Sequence, residues 1–383
     1  MQEFDFNLRT RVICGQGALD RVGELAGGFN ASRALIVTDP GIIAAGHVER
    51  AIESLTAAGI AAHCFDGAHE NPTTEDIDRG LEFAKRCEPE LLIGLGGGSS
   101  MDCAKGINFV YTNGGTMHDY HGVGKASQPM LPMIAVPTTA GTGSEMQSFA
   151  LISDSKTHVK MACGDKKASC RIAILDPELT LTQPELVTAL TGIDAVSHAV
   201  ETFVTKRRNP VSIMYSREAW RLLAGNFKTV LKDPNNLEAR SAMQLGAAYA
   251  GVAIENSMLG ASHALANPLT ASYGTAHGQA VGLMLPHVVR YNGIHFNAWY
   301  QELLGTTESL PGLPSPSTGA EGLAEFLTSL IEAAGLSVKL DQCGVEAAQM
   351  PELAAAAAVQ WTGTFNPRDV NQESLLGIYQ SAF

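Results

Sequence analysis

Long apolar runs are missing from this chain of 383 residues. No uninterrupted stretch approaches the roughly 18 residues that a membrane-spanning helix needs, so no membrane span is expected. The opening segment, MQEFDFNLRTRV, carries charges and has no apolar core of about 7 to 15 residues, so no secretory signal is expected. Positive charge is scarce: 26 Lys and Arg stand against 39 Asp and Glu, for a net charge of −13. A chain this acidic does not track a phosphate backbone or an anionic lipid surface, which argues against nucleic acid and membrane as partners. The densest basic run, Lys206-Arg207-Arg208 before Asn209-Pro210, reads as a solvated loop. Cysteine is sparse and unpaired in pattern: seven residues, an odd number, with no CxxC spacing. Free thiols in a reducing compartment are expected, and a cytoplasmic location with them.

What is present is ample core. Hydrophobic residues make up 45% and charged residues 17%, enough for two sizeable domains. The first part alternates strand-like and helix-like segments. RALIVTD (33–39), AAHCFDG (61–67), ELLIGLGGG (90–98), PMIAVPTT and RIAILDP (171–177) are short β-rich runs ending in turn residues. HVERAIESLTAAG (47–59) and TTEDIDRGLEFAKRC (73–87) between them have helical periodicity, the latter acidic early and basic late, as the helix dipole favours. Such alternation indicates a parallel, doubly wound sheet. Beyond about residue 180 the character changes to helices rich in alanine and leucine. The expected organisation is an α/β domain over 1–180 and an all-α domain over 181–383.

The all-α half holds the most informative set. Asp194 and His198 lie one helical turn apart in GIDAVSHAVETFV, so their side chains share a helix face. His263 and His277 follow in a segment of small and apolar residues. Polar groups in such surroundings are either paired with one another or coordinated. One carboxylate and three imidazoles, with no thiolate, suit Fe(II), Zn(II) or a similar divalent ion.

In the α/β half, Gly96 to Gly98 join a strand to a helix, followed by Ser99 and Ser100. The motif reads as a plain tight turn or as a cradle in which backbone N–H groups meet a phosphate. PTTAGTGSE (137–145) follows another strand, and its Thr138, Thr139 and Thr142 offer hydroxyls to a pyrophosphate or ribose. Asp39 ends the first strand of the series. It can form the turn before Pro40, or accept from both ribose hydroxyls of an adenosine and repel a 2′-phosphate, which selects NAD over NADP.

The combination resembles the iron-containing (group III) alcohol dehydrogenase family nearly end to end. The resemblance is carried by GGGSSMDCAK (96–105), PTTAGTGSE (137–145), LDPEL (175–179), GIDAVSHAVETFV (192–204), the stretch from ASHALANPL to HGQAVGLMLPHVVRYN (261–292), and Asn366-Pro367-Arg368. It implies a dinucleotide-binding α/β domain followed by a helical metal domain, a plan shared with dehydroquinate synthase. It implies Asp194, His198, His263 and His277 as ligands of one divalent ion, Fe(II) before Zn(II). It places Asp39, Asn71, Gly97, Gly98, Ser99, Asp102, Thr138, Thr139, Thr142 and Lys160 against NAD(H), and Phe149 and Leu151, together with Ile254, around a small alcohol or aldehyde. The implied reaction is hydride transfer between the alcohol carbon and the nicotinamide, with the metal acting on the substrate oxygen and no catalytic residue beyond its ligands. Homodimers or larger homo-oligomers are the implied assembly.

Two departures from the family pattern stand out. A second histidine often follows the third ligand by four residues and is thought to relay the alcohol proton; here that position is Asn267, which does not titrate. Ala276 replaces a frequent proline before the last ligand. The rival activities are a glycerol or polyol (or polyol-phosphate) dehydrogenase and a dehydroquinate synthase-like lyase. The lyase calls for several Lys and Arg around a phosphorylated carboxylate, and the segments that carry the four ligands, 192–204 and 260–287, contain none.

Overall fold

A computed structural model describes residues 3–157 and 159–383. The chain forms two compact units. One comprises residues 7–139 and 143–183; the other comprises the N-terminal segment through Phe6, Ala140–Thr142 and Pro184–Phe383.

The α/β unit contains strands β1 (Arg11–Cys14), β2 (Arg33–Val37), β3 (Ala61–Phe65), β4 (Leu91–Gly96), β5 (Gly122–Val123), β6 (Met133–Pro137), β7 (Phe149–Ser153), β8 (Lys160–Gly164) and β9 (Ile172–Leu175). Its helices are α1 (Val22–Gly27), α2 (Pro40–Ala44), α3 (His47–Ala57), α4 (Thr74–Cys87) and α5 (Gly98–Asn113). Six strands form one sheet in the order β1-β9-β6-β4-β2-β3, and every pairing in it is parallel. Successive residues of each strand serve opposite faces. On β2, Leu35 and Val37 pack with α4 and α5, while Ala34 and Ile36 pack with α1 and α3. Both faces are covered, which explains why these strands read as continuous apolar runs. The small β5-β8-β7 sheet and the edge strand β1 do not stand out in the sequence, because they are short and partly exposed.

The order reverses at β2. From there β3 lies to one side, and β4, β6 and β9 lie to the other. At such a switch point the loops leaving neighbouring strands diverge and open a crevice at the carboxyl edge.

The second unit is helical: α6 (Glu185–Val204), α7 (Pro210–Lys232), α8 (Leu237–Ser257), α9 (Ala261–Tyr273), α10 (His277–Gly305), α11 (Gly319–Ala333), α12 (Met350–Ala358) and α13 (Gln372–Ser381). It has two apolar cores. One is built on α6, α7, α8, α10 and α11 around Phe203, Trp220 and Phe227; the other is built on α9, α10, α12 and α13 around Leu265, Met284 and Tyr379. No helix among the described residues is long and apolar enough to cross a membrane, and all seven cysteines are free thiols.

Candidate functional site

Helix α6 is apolar nearly all round, yet carries Asp194, His198 and Glu201 at buried positions. Asp194 and His198 stack one turn apart, with His198 Nε2 3.3 Å from Asp194 Oδ1. The same oxygen lies 3.5 Å from His263 Nε2, on α9, and 3.9 Å from His277 Nε2, at the first residue of α10. Ligand atoms of Asp194, His263 and His277 all fall within 4.8 Å of one another. Bonds of about 2.1 Å to a tetrahedral ion would separate its ligands by about 3.4 Å, close to these spacings. Asp194 Oδ1 and His263 Nε2 are buried and make no hydrogen bond, a costly arrangement unless a cation serves both. The donor set therefore fits a divalent ion.

Local sequence explains how the rings arrive. Gly278, next to His277, brings α10 so close to α6 that a Cβ there would sit 2.1 Å from the Leu190 carbonyl oxygen. Only glycine permits that approach, and it carries His277 to within reach of Asp194, one turn further along α6. Gly141 packs in the same way against Thr191, and its carbonyl faces the His198 ring.

Glu201 completes the centre. Its Oε2 accepts from His263 Nδ1 at 2.5 Å, and its Oε1 accepts from the Ser262 amide at 2.7 Å. With Nδ1 donating to Glu201, His263 presents Nε2 to Asp194, the nitrogen that would bind an ion once its proton is displaced. The sequence reading did not single out Glu201. The signal was present, since Glu201 falls two turns after Asp194 on the same buried helix face. Burial alone would lower the His263 ring, but Glu201 and Asp194 outweigh it and push it up to about 9. Burial would raise Asp194, yet His198, His263 and His277 hold it well below the usual carboxylate range. Burial lowers His198. The centre thus has strongly negative character and receives positive charge favourably.

In the α/β unit, the residues expected to hold a nucleotide gather at the carboxyl edge beside the switch point. Asp39 Oδ1 caps α2, accepting from Gly41 N at 2.9 Å and Ile42 N at 3.2 Å, while its Oδ2 faces the Gly96 turn. Gly97 precedes α5 without any side-chain cap and lies against Thr139. Thr138 donates its amide to the Gly96 carbonyl. Asn71, in the left-handed region at φ 52°, donates its amide to Ser99 Oγ and accepts from Lys160 Nζ at 3.0 Å. Asp102 is used internally: Oδ1 accepts from Ser144 Oγ at 2.6 Å and Oδ2 from the Leu151 amide at 3.3 Å. Beside it the fully buried Lys105 donates to Ser144 O, Ser144 Oγ and Phe149 O, fixing the start of β7. On β7 the Phe149 ring packs over Gly164, and Leu151 is exposed. Thr142 and Ile254 belong to the helical unit, where Ile254 is buried on α8.

Sequence comparison settles the family. Residues 9–177 match the iron-containing alcohol dehydrogenase profile, and residues 188–383 match the C-terminal profile of the Fe-containing alcohol dehydrogenase family. The chain belongs to the iron-containing alcohol dehydrogenase family. Among its relatives, the 1,3-propanediol dehydrogenase of Klebsiella pneumoniae is 34% identical over 385 residues, covering 99% of both chains. The NAD-dependent methanol dehydrogenase of Bacillus methanolicus is 34% identical over 373 residues, covering 97% of both. A crystal structure of a 1,3-propanediol oxidoreductase superposes over 100% of both chains with a TM-score of 0.95 at 33% identity. In this chain Asp194, His263 and His277 form a group that could hold a metal ion.

Proposed function

We propose that the protein interconverts small primary alcohols or diols with their aldehydes, using NAD(H) and one divalent ion, Fe(II) before Zn(II). Asp194, His198, His263 and His277 hold the ion, and Glu201 orients His263. When bound, the ion supplies Lewis acidity toward the substrate oxygen, and the nicotinamide supplies or accepts the hydride. The observation that carries the reading is the convergence of three imidazoles on the unbonded, buried Asp194 Oδ1.

On this reading the α/β unit binds the dinucleotide at its carboxyl edge. The uncapped N-terminus of α5, with Gly97, Gly98 and Ser99, receives the pyrophosphate through backbone N–H groups and the helix dipole. Thr138, Thr139 and Thr142 add hydroxyl donors. Asp39 turns its second oxygen to the adenosine ribose and repels a 2′-phosphate, favouring NAD over NADP. Lys160, held by Asn71, faces the nicotinamide ribose. Asp102 acts at this edge by bracing Ser144 and Leu151. Phe149 and Leu151 in this unit, and Ile254 separately in the helical unit, are the apolar residues expected to meet a short substrate. The named activities of the two dehydrogenase relatives, on 1,3-propanediol and methanol, fall in the same class of small neutral alcohols. A homodimer or larger homo-oligomer is the expected assembly.

The test is absorbance at 340 nm with NAD and NADP across short alcohols, diols and glycerol. It uses metal-stripped protein reloaded with Fe(II) or Zn(II). Reloading restores activity, and His263→Ala lowers it on the order of 10³-fold or more. Full activity in the stripped protein or in His263→Ala contradicts the reading, and turnover of glycerol alone moves it to a polyol dehydrogenase.

A further inference from the structure

Asn267 stands one helical turn beyond His263 on α9. From Ala261 to Leu269 every residue is buried except Asn267. Helical side chains lean toward the N-terminus, so the Asn267 amide lies over the turn that carries His263. The cluster has one other accessible member: the His277 side chain keeps 27% of its exposure, against 7% for Asp194 and 6% for His263. His277 is thus the side from which solvent reaches the centre, and Asn267 is the half-buried polar residue one turn beyond the third ligand.

The amide is held from a second element. Asn267 Nδ2 donates to Gln360 Oε1 at 3.0 Å. Gln360 precedes the short 3₁₀ turn Trp361–Phe365, which packs on α9 so that a Cβ on Gly363 would touch Ala264 at 3.4 Å. In that turn Thr362 is 6% exposed, and its Oγ1 makes no hydrogen bond. Among the described residues the Asn267 side chain makes no hydrogen bond besides that to Gln360, so its Oδ1 and a second N–H remain to be offered. None of these groups is charged. The neighbouring cations are engaged elsewhere, Lys206 with Asp369 and Arg207 over the Phe365 ring.

A neutral amide pair matches an uncharged group that both donates and accepts; a carboxylate or sulfonate calls for a cation instead. We propose that Asn267, tethered by Gln360, is a specificity-determining residue that binds a second, neutral hydroxyl of the substrate. This rests on the alcohol dehydrogenase reading above and narrows its substrate class to short diols and hydroxyaldehydes.

The experiment compares kcat/KM for propane-1,3-diol and 1-propanol in the metal-loaded enzyme with NAD. The wild type favours the diol. Asn267→Leu lowers the diol-to-propanol ratio about tenfold, by raising KM for the diol more than KM for propanol, with metal content retained. Gln360→Leu, which frees the amide without removing it, lowers the ratio less and serves if Asn267→Leu fails to fold. A wild type that turns over both alcohols without favouring the diol overturns the inference and leaves the dehydrogenase reading standing. So does an unchanged ratio in both variants. A metal-loaded wild type that oxidises neither alcohol removes both readings.

Discussion

The two units assemble their candidate sites by opposite means. At the sheet edge the work is done by backbone: the Gly96–Gly98 turn, the uncapped start of α5, the Asp39 cap and the left-handed Asn71. In the helical unit it is done by side chains from three helices, all but His277 buried, converging on one carboxylate oxygen. A backbone site follows from the topology of a parallel sheet and tolerates change in many side chains. A side-chain site follows from packing, where moving any one helix moves a ligand.

That contrast orders the expected effects. The largest belongs to Gly278→Ala, whose new Cβ would meet the Leu190 carbonyl oxygen at 2.1 Å. Backbone cannot yield as a flexible side chain does, so α10 shifts from α6, stability falls by about 3 kcal/mol or more, and metal occupancy falls with it. Denaturant unfolding and metal analysis check this, and a variant of wild-type stability with full metal content would show that packing does not set the ligand geometry.

Glu201→Gln comes next. It keeps the shape but removes the charge that fixes His263 Nδ1, and the expected loss of metal affinity is about 10- to 100-fold, read by competition with a chelator. Unchanged affinity would mean that Glu201 serves the 260–262 turn only.

The third test lies in the α/β unit. Burial pushes the Glu145 carboxyl from 4.5 up to about 7, against the pull of Lys105. Raised in the folded state, it leaves stability intact below pH 4.5 and subtracts from it as pH climbs through about 7. Glu145→Gln should therefore unfold with less pH dependence across that window, gaining on the wild type at pH 8 by an amount on the order of a few kcal/mol, with denaturant midpoints at pH 5 and pH 8 as the measurement.

The smallest effect is that of Asp39→Ala. Losing the α2 cap costs about 1 kcal/mol, and the ratio of NADP to NAD use rises if the second oxygen faces the ribose. An unchanged cofactor ratio would reduce Asp39 to its capping role.

How much could be read beforehand follows the same divide. The inner strands β2, β4, β6 and β9 were legible because both their faces are buried, so each is a bounded apolar run. Asp194 and His198 were legible as a helical pair, since period alone puts them on one face. The nearness of His263 and His277 to that pair was carried by the family motifs, because no local pattern encodes which helices touch. Glu201 escaped because its partners, His263 and Ser262, are distant in sequence. The bracing of β7 by Asp102 and Lys105 escaped for the same reason: a buried lysine looks like any other until three oxygens are found around it.

The grouping of Ala140–Thr142 with the helices has a practical side. The chain leaves the sheet, contributes three residues to the other half, and returns before crossing for good near Pro184. Recombination at a single junction near residue 183 would give the incoming helices a foreign tripeptide against Thr191 and beside the His198 ring. Chimeras made to graft one enzyme's chemistry onto another's nucleotide carrier should therefore transplant this insert together with the C-terminal cassette.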